Sequence, residues 1–116
     1  MKDTEDSKME PKTEGGRTNR RFERVLGPFD GCRVGKLDVA VRIYDLSLGG
    51  CLVSSAIEQR LGTKLVLKIN LPQEGEITVN AEVMNSRPGF GFGVRFTDVD
   101  HDTTQRLIRT VDALRA

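Results

Sequence analysis

The stretch "DVAVRIYDLSLGGCLVSS", residues 38–55, holds two strand-like limbs joined by turn chemistry. In the first limb Val39, Val41 and Ile43 alternate with Ala40, Arg42 and Tyr44, the period-2 pattern of a strand with one buried face. "CLVSS" is the second limb. Between them stand Asp45, Ser47, Gly49 and Gly50. A two-residue hairpin needs only a pair such as Asn-Gly or Asp-Gly, so this junction carries more polar chemistry than a turn requires. Asp45 and Ser47 are two positions apart, and on a regular extended chain their side chains leave one face. A carboxylate accepts hydrogen bonds, and a hydroxyl both donates and accepts. Gly50 stands where the chain turns or lets something lie against bare backbone. The group suits a guanine, whose ring N–H and amino group seek an acceptor. It equally suits a structural Asx-type turn. Taken alone, the turn is the better reading.

Outward from this hairpin the chain stays β. Upstream, "FDGCRV" is a short strand beginning at Phe29. Downstream, "TKLVLKINLP" alternates Leu65, Leu67, Ile69 and Leu71 against Lys64, Lys68 and Asn70, and Pro72 stops it. "GEITVNAEVMNS" puts Ile77, Val79, Ala81 and Val83 on one face. "FGFGVRF" puts Phe90, Phe92, Val94 and Phe96 on a common side, and these phenylalanines read as core. The period changes only at the end, in "DHDTTQRLIRTVDALRA". There Leu107, Ile108, Val111 and Leu114 form a helical stripe, with Asp100 or Asp102 as N-cap and Gln105 placed for a capping box. About six short strands followed by one helix predict an all-β barrel or sandwich with a C-terminal helix.

The 116 residues suffice for one domain with a small core. A net charge of +1 excludes a strong global preference for nucleic acid or acidic membranes. No apolar run approaches the ~18 residues of a membrane span. The polar start, "MKDTEDSKME", has no apolar core of a signal peptide, so a cytoplasmic location is expected. Cys32 and Cys51 lack metal-site spacing and read as free thiols, small and buried. No G-x-S-x-G, HExxH or Walker loop occurs, so the chain is not expected to be an enzyme. His101 reads as a surface residue at the helix start. The acids of "DVDHD" lack the ligand set of a calcium loop, so no metal is expected.

Residues 1–18 are too polar to offset their ordering entropy and read as a flexible N-terminal arm; residues 19–116 form the domain. The stretch "RTNRRFERV" gathers Arg17, Arg20, Arg21 and Arg24. Alone it reads as a solvated basic linker. Beside an Asp/Ser/Gly platform it gains a second reading. A guanidinium fork grips phosphate oxygens, or guanine O6 and N7, with two parallel hydrogen bonds.

The combination resembles the PilZ domain family. "RRFER" matches the family's R-x-x-x-R motif at Arg20 and Arg24, and "DLSLGG" matches [D/N]-x-S-x-x-G at Asp45, Ser47 and Gly50. The resemblance runs from about Arg17 to the C-terminus. It implies a six-stranded antiparallel β-barrel and the bacterial second messenger cyclic di-GMP as ligand, with no cofactor. It further implies that Arg20 and Arg24 bind guanine edges and phosphates, with Arg21 auxiliary. Asp45 and Ser47 would contact the guanine, and Gly49 and Gly50 would keep the loop low. Met84 stands where some relatives stack an aromatic residue on the ligand. The expected mechanism is closure of the arm, residues 17–26, and altered contacts with an unidentified downstream protein, without membrane insertion. Two other readings stand beside it. One is a protein-interaction barrel that has lost nucleotide binding. The other, a single-strand nucleic-acid binder, is disfavoured by the scarcity of aromatics.

Overall fold

The computed structural model describes residues 23–115. The expected flexible arm of residues 1–18, together with Arg20 and Arg21, lies outside the described residues. Six strands precede one helix: β1 Val25–Val34, β2 Val39–Leu46, β3 Gly50–Ser54, β4 Lys64–Leu71, β5 Gly75–Arg87, β6 Gly91–Thr97 and α1 His101–Arg115. They close into an antiparallel barrel in the order β1-β2-β3-β6-β5-β4. Closure leaves no free strand edge, so each ladder donor and acceptor has a neighbour to pair with.

The alternation read in the sequence fills the barrel. Val41 and Ile43 from β2, Leu67, Ile69 and Leu71 from β4, and Ile77, Val79, Ala81 and Val83 from β5 are all buried. Phe92, Ile43, Leu46, Leu67 and Ile69 are the largest fully enclosed strand residues. Burying each such side chain contributes about 1.5–3 kcal/mol. The interior face ends where α1 supplies Leu107 and Val111 to the same cluster.

Three details depart from the sequence reading. β1 begins at Val25, not Phe29, because Gly27 and Pro28 interrupt the pattern without ending the strand. The register shifts between Leu26 and Phe29, and Val25 still pairs with Leu46. An irregularity of this kind is where a sheet tolerates proline. Phe90 does not join the core. It sits in the turn before β6, with its ring edge-to-face against Tyr44 at 5.4 Å on the outer wall. The buried helix stripe is Thr103, Leu107, Thr110 and Val111, whereas Leu114 is exposed. Thr110 is accommodated because its hydroxyl donates to the Arg106 carbonyl at 2.9 Å.

The N-cap is Asp100, whose Oδ1 accepts from the Thr103 amide at 2.7 Å. That bond holds its carboxyl below the usual range. Two arginines fasten the helix to the β4–β5 turn. Arg109 binds both carboxylate oxygens of Glu74 at 3.0 Å. Arg106 donates to the carbonyls of Glu74 and Glu76. Arg115, in the last turn, pairs with Glu23 just ahead of β1.

Candidate functional site

Two β-bulges build the site. Strict alternation from Val41 and Ile43 would send Asp45 into the barrel. Instead the β2–β3 register shifts between Ile43 and Asp45. The extra residue flips the phase, so Leu46 is fully buried and Asp45 remains outside. A matching shift occurs in β5 between Val83 and Asn85. Val83 points in, while Met84 and Asn85 are both exposed.

The bulges face one another across the sheet. Asp45 pairs with Leu52, Leu52 with Gly93, and Gly93 with Asn85. One cross-sheet row therefore runs over β2, β3, β6 and β5, a width of about 14 Å from three strand spacings. It underlies an open concavity of about 790 Å³, lined also by Arg24, Ser47, Gly49 and Gly50.

The described motif residues thus converge. Arg24 Nη1 donates to Asp45 Oδ1 at 2.8 Å, with the arginine side chain 46% and the acid 14% exposed. Ser47 is buried and spends its hydroxyl on the turn. Its Oγ donates to the Gly50 carbonyl at 3.2 Å and accepts from the Gly49 amide at 3.3 Å. The Gly49 carbonyl accepts from the Phe96 amide, anchoring the loop to β6. Gly50 owes its identity to close packing: a Cβ there would stand 2.1 Å from the Val94 carbonyl oxygen. The glycine keeps strands in register, a reason independent of any ligand. Arg20 and Arg21 lie outside the described residues.

Sequence reasoning did not name Asn85, Arg87 and Arg95, which the fold adds to the lining. Only strand pairing, remote in sequence, brings them there. Arg95 stands opposite Glu82 and pairs with it at 2.8 Å. Arg87 has no ion-pair partner among the described residues. The concavity presents three guanidiniums, of which Arg24 is paired with Asp45 and Arg95 with Glu82, leaving one positive charge in excess at Arg87. That balance favours an anionic ligand. Met84, 51% exposed, lines the wall. Beneath the floor, Cys51 is buried, and burial pushes its thiol well above the ordinary range, with Asp45 adding to the shift. It is a packing residue. Cys32 is only half-buried. Among the described residues there is no cluster of metal-ligating side chains. Among the same residues no helix is long and apolar enough to cross a membrane.

Comparison with known proteins agrees with this architecture. The family model described as PilZ domain matches residues 18–113. The PilZ domain with c-di-GMP of YcgR from Escherichia coli superposes with a TM-score of 0.68 at 20% identity, covering 84% of this chain and 92% of that one. YcgR in complex with c-di-GMP, from the same organism, gives 0.70 at 25% identity, over 84% of this chain and 46% of that one. The Bacillus subtilis inhibitor of motility gives 0.71 at 20% identity, over 83% and 51%. The chain spans about half the length of these last two proteins. Among curated proteins no relative matches. With the barrel, the paired motifs and the family match over residues 18–113 in agreement, the chain belongs to the PilZ domain family.

Proposed function

We propose that the chain is a non-enzymatic receptor for cyclic di-GMP. The observation that carries this reading is the meeting of the two motifs. Arg24 of R-x-x-x-R and Asp45 of D-x-S-x-x-G touch on the rim of one arginine-lined concavity. Two solved PilZ relatives are described with c-di-GMP. Arg20 and Arg24, with Arg21 auxiliary, would grip the guanine acceptor edge and the phosphates. Asp45 would accept from the guanine donor edge. Ser47, Gly49 and Gly50 would set the height of the loop that carries the acid. The arm bearing Arg20 and Arg21 would close over the nucleotide and offer a new surface to a downstream protein partner.

Calorimetric titration with cyclic di-GMP tests this, with cyclic di-AMP and GTP as controls. Adenine reverses donor and acceptor at the read positions. Cyclic di-AMP is expected to bind at least tenfold more weakly, about 1.4 kcal/mol. Equal affinity for the two refutes the site assignment. One feature supports the rival reading, an interaction barrel without nucleotide binding. Asp45 Oδ1 and Ser47 Oγ already have partners within the protein. The absence of any heat with cyclic di-GMP would favour that reading.

A further inference from the structure

Asn85 occupies the far end of the cross-sheet row from Asp45, and its amide is fixed by the fold. The β5 register shifts just before Asn85, and Asn85 Oδ1 accepts the amide of its register partner Gly93 at 3.1 Å. An N–H can only face an acceptor, so this bond settles which amide atom is oxygen. A Cβ at Gly93 would stand 2.8 Å from Oδ1, 2.9 Å from Nδ2 and 3.1 Å from Cγ. The three distances are nearly equal, so the amide lays its face over the bare Cα of Gly93. No described residue accepts from the Nδ2 amino group.

We infer that Asn85 is a specificity residue of the cyclic di-GMP site, donating from Nδ2 to the acceptor edge of a guanine seated over Leu52. This rests on the receptor reading above. Leu52 lies between Asp45 and Gly93 in the row, lines the concavity with only 9% of its surface exposed, and stands outside the main core cluster. A base over Leu52 is flanked on one side by the acceptor Asp45 and on the other by the amide covering Gly93. Guanine carries donors on one edge and the acceptors O6 and N7 on the other. A free asparagine amide prefers adenine, bonding N6–H and N7 together. That preference needs Oδ1, which here is turned onto the Gly93 amide. What remains is a donor, and a donor facing the N6 amino group of adenine is repelled. The bulge thus turns an adenine-type side chain into a guanine reader.

The test is Asn85→Asp, titrated with cyclic di-GMP and with cyclic di-AMP. The carboxylate still accepts the Gly93 amide, so the barrel is retained, and circular dichroism checks this. Its added charge weakens both dianionic nucleotides alike, so the ratio of their affinities isolates the base contact. The preference for cyclic di-GMP is expected to fall about fivefold or more. Gly93→Ala is the second variant. It leaves the Asn85 side chain chemically intact but displaces its amide, and the same narrowing is expected. Wild-type binding with an unchanged ratio in both variants overturns this inference alone. Wild-type protein that takes up no cyclic di-GMP overturns the receptor reading and this inference together.

Discussion

Arg24 and Asp45, 21 positions apart in the chain, are joined by a 2.8 Å hydrogen bond between the strand-entry segment and the β2 bulge. The bond brings two weak sequence signals to one place in the fold. An R-x-x-x-R run alone is a basic linker, and a D-x-S-x-x-G run alone is a turn. β1 pairs with β2 so that Leu26 stands opposite Asp45, which brings Arg24 to the same end of the barrel. In the receptor reading, the incoming guanine must share or replace this contact.

Arg24→Ala and Asp45→Ala are therefore expected to separate binding from stability. The arginine side of the pair is about half exposed, so its contribution to folding is expected to stay within the roughly 0–1 kcal/mol of surface pairs. A charged hydrogen bond to ligand contributes about 1.5–3 kcal/mol, equivalent to about 10- to 100-fold in affinity. Urea unfolding should move little while calorimetry shows the larger loss. If both variants bind cyclic di-GMP as the parent does, the pair has no part in the site.

Ser47 and Gly50 should behave in the opposite way. Ser47→Ala removes two hydrogen bonds inside a buried turn, and a cost of about 1–2 kcal/mol is expected. Gly50→Ala forces a methyl onto the Val94 carbonyl, and overpacking of that kind costs about 1–3 kcal/mol. Chemical denaturation of both variants measures this. Full stability in Gly50→Ala would mean that β3 and β6 move apart at no cost.

The interior faces of β2, β4 and β5 were legible because a barrel strand hides one face, and alternation records that directly. The closing helix was legible from its change of period. The bulges at Asp45 and Asn85 were not, because nothing local distinguishes a strand that skips one residue from one that does not. Each bulge is defined by its partner strand, as are the positions of Asn85, Arg87 and Arg95 in the site. The turn role of Ser47 was legible only as one of two open alternatives. The start of β1 was missed because Gly27 and Pro28 mimic a loop.

The helix anchor predicts a pH response. The hydrogen bond from Arg109, and then the charges of Arg109 and Arg106, hold the Glu74 carboxyl below the ordinary range. A carboxylate depressed in the folded state adds stability at neutral pH, and that stability is lost as pH falls through its lowered pKa. Thermal melts of the parent and Glu74→Gln should differ at pH 7, with the parent higher. The gap should close as the pH drops below the ordinary carboxylate range. A gap that persists unchanged in acid would show that Glu74 acts through shape rather than charge.

The proposed closure of the arm can be placed more narrowly than the composition of residues 17–26 allows. Val25 is buried and paired with Leu46, so β1 has already begun there. Glu23 is tied to Arg115 and Arg24 to Asp45. In the receptor reading, the segment that the nucleotide would organise ends at Phe22 and contains Arg20 and Arg21. Ordering a residue costs about 1–2 kcal/mol of backbone entropy, so fixing residues 20–22 would cost about 3–6 kcal/mol. A single charged hydrogen bond of about 1.5–3 kcal/mol cannot offset this, whereas two bidentate arginine contacts can. Arg20→Ala should then remove most binding and leave the barrel folded. Amide exchange gives the direct readout. Val25 and Leu26 should exchange slowly with or without cyclic di-GMP, while residues 17–22 should slow only when it is added. Slow exchange of residues 17–22 in the free protein, or fast exchange in the saturated complex, would rule out closure and leave binding to the barrel face alone.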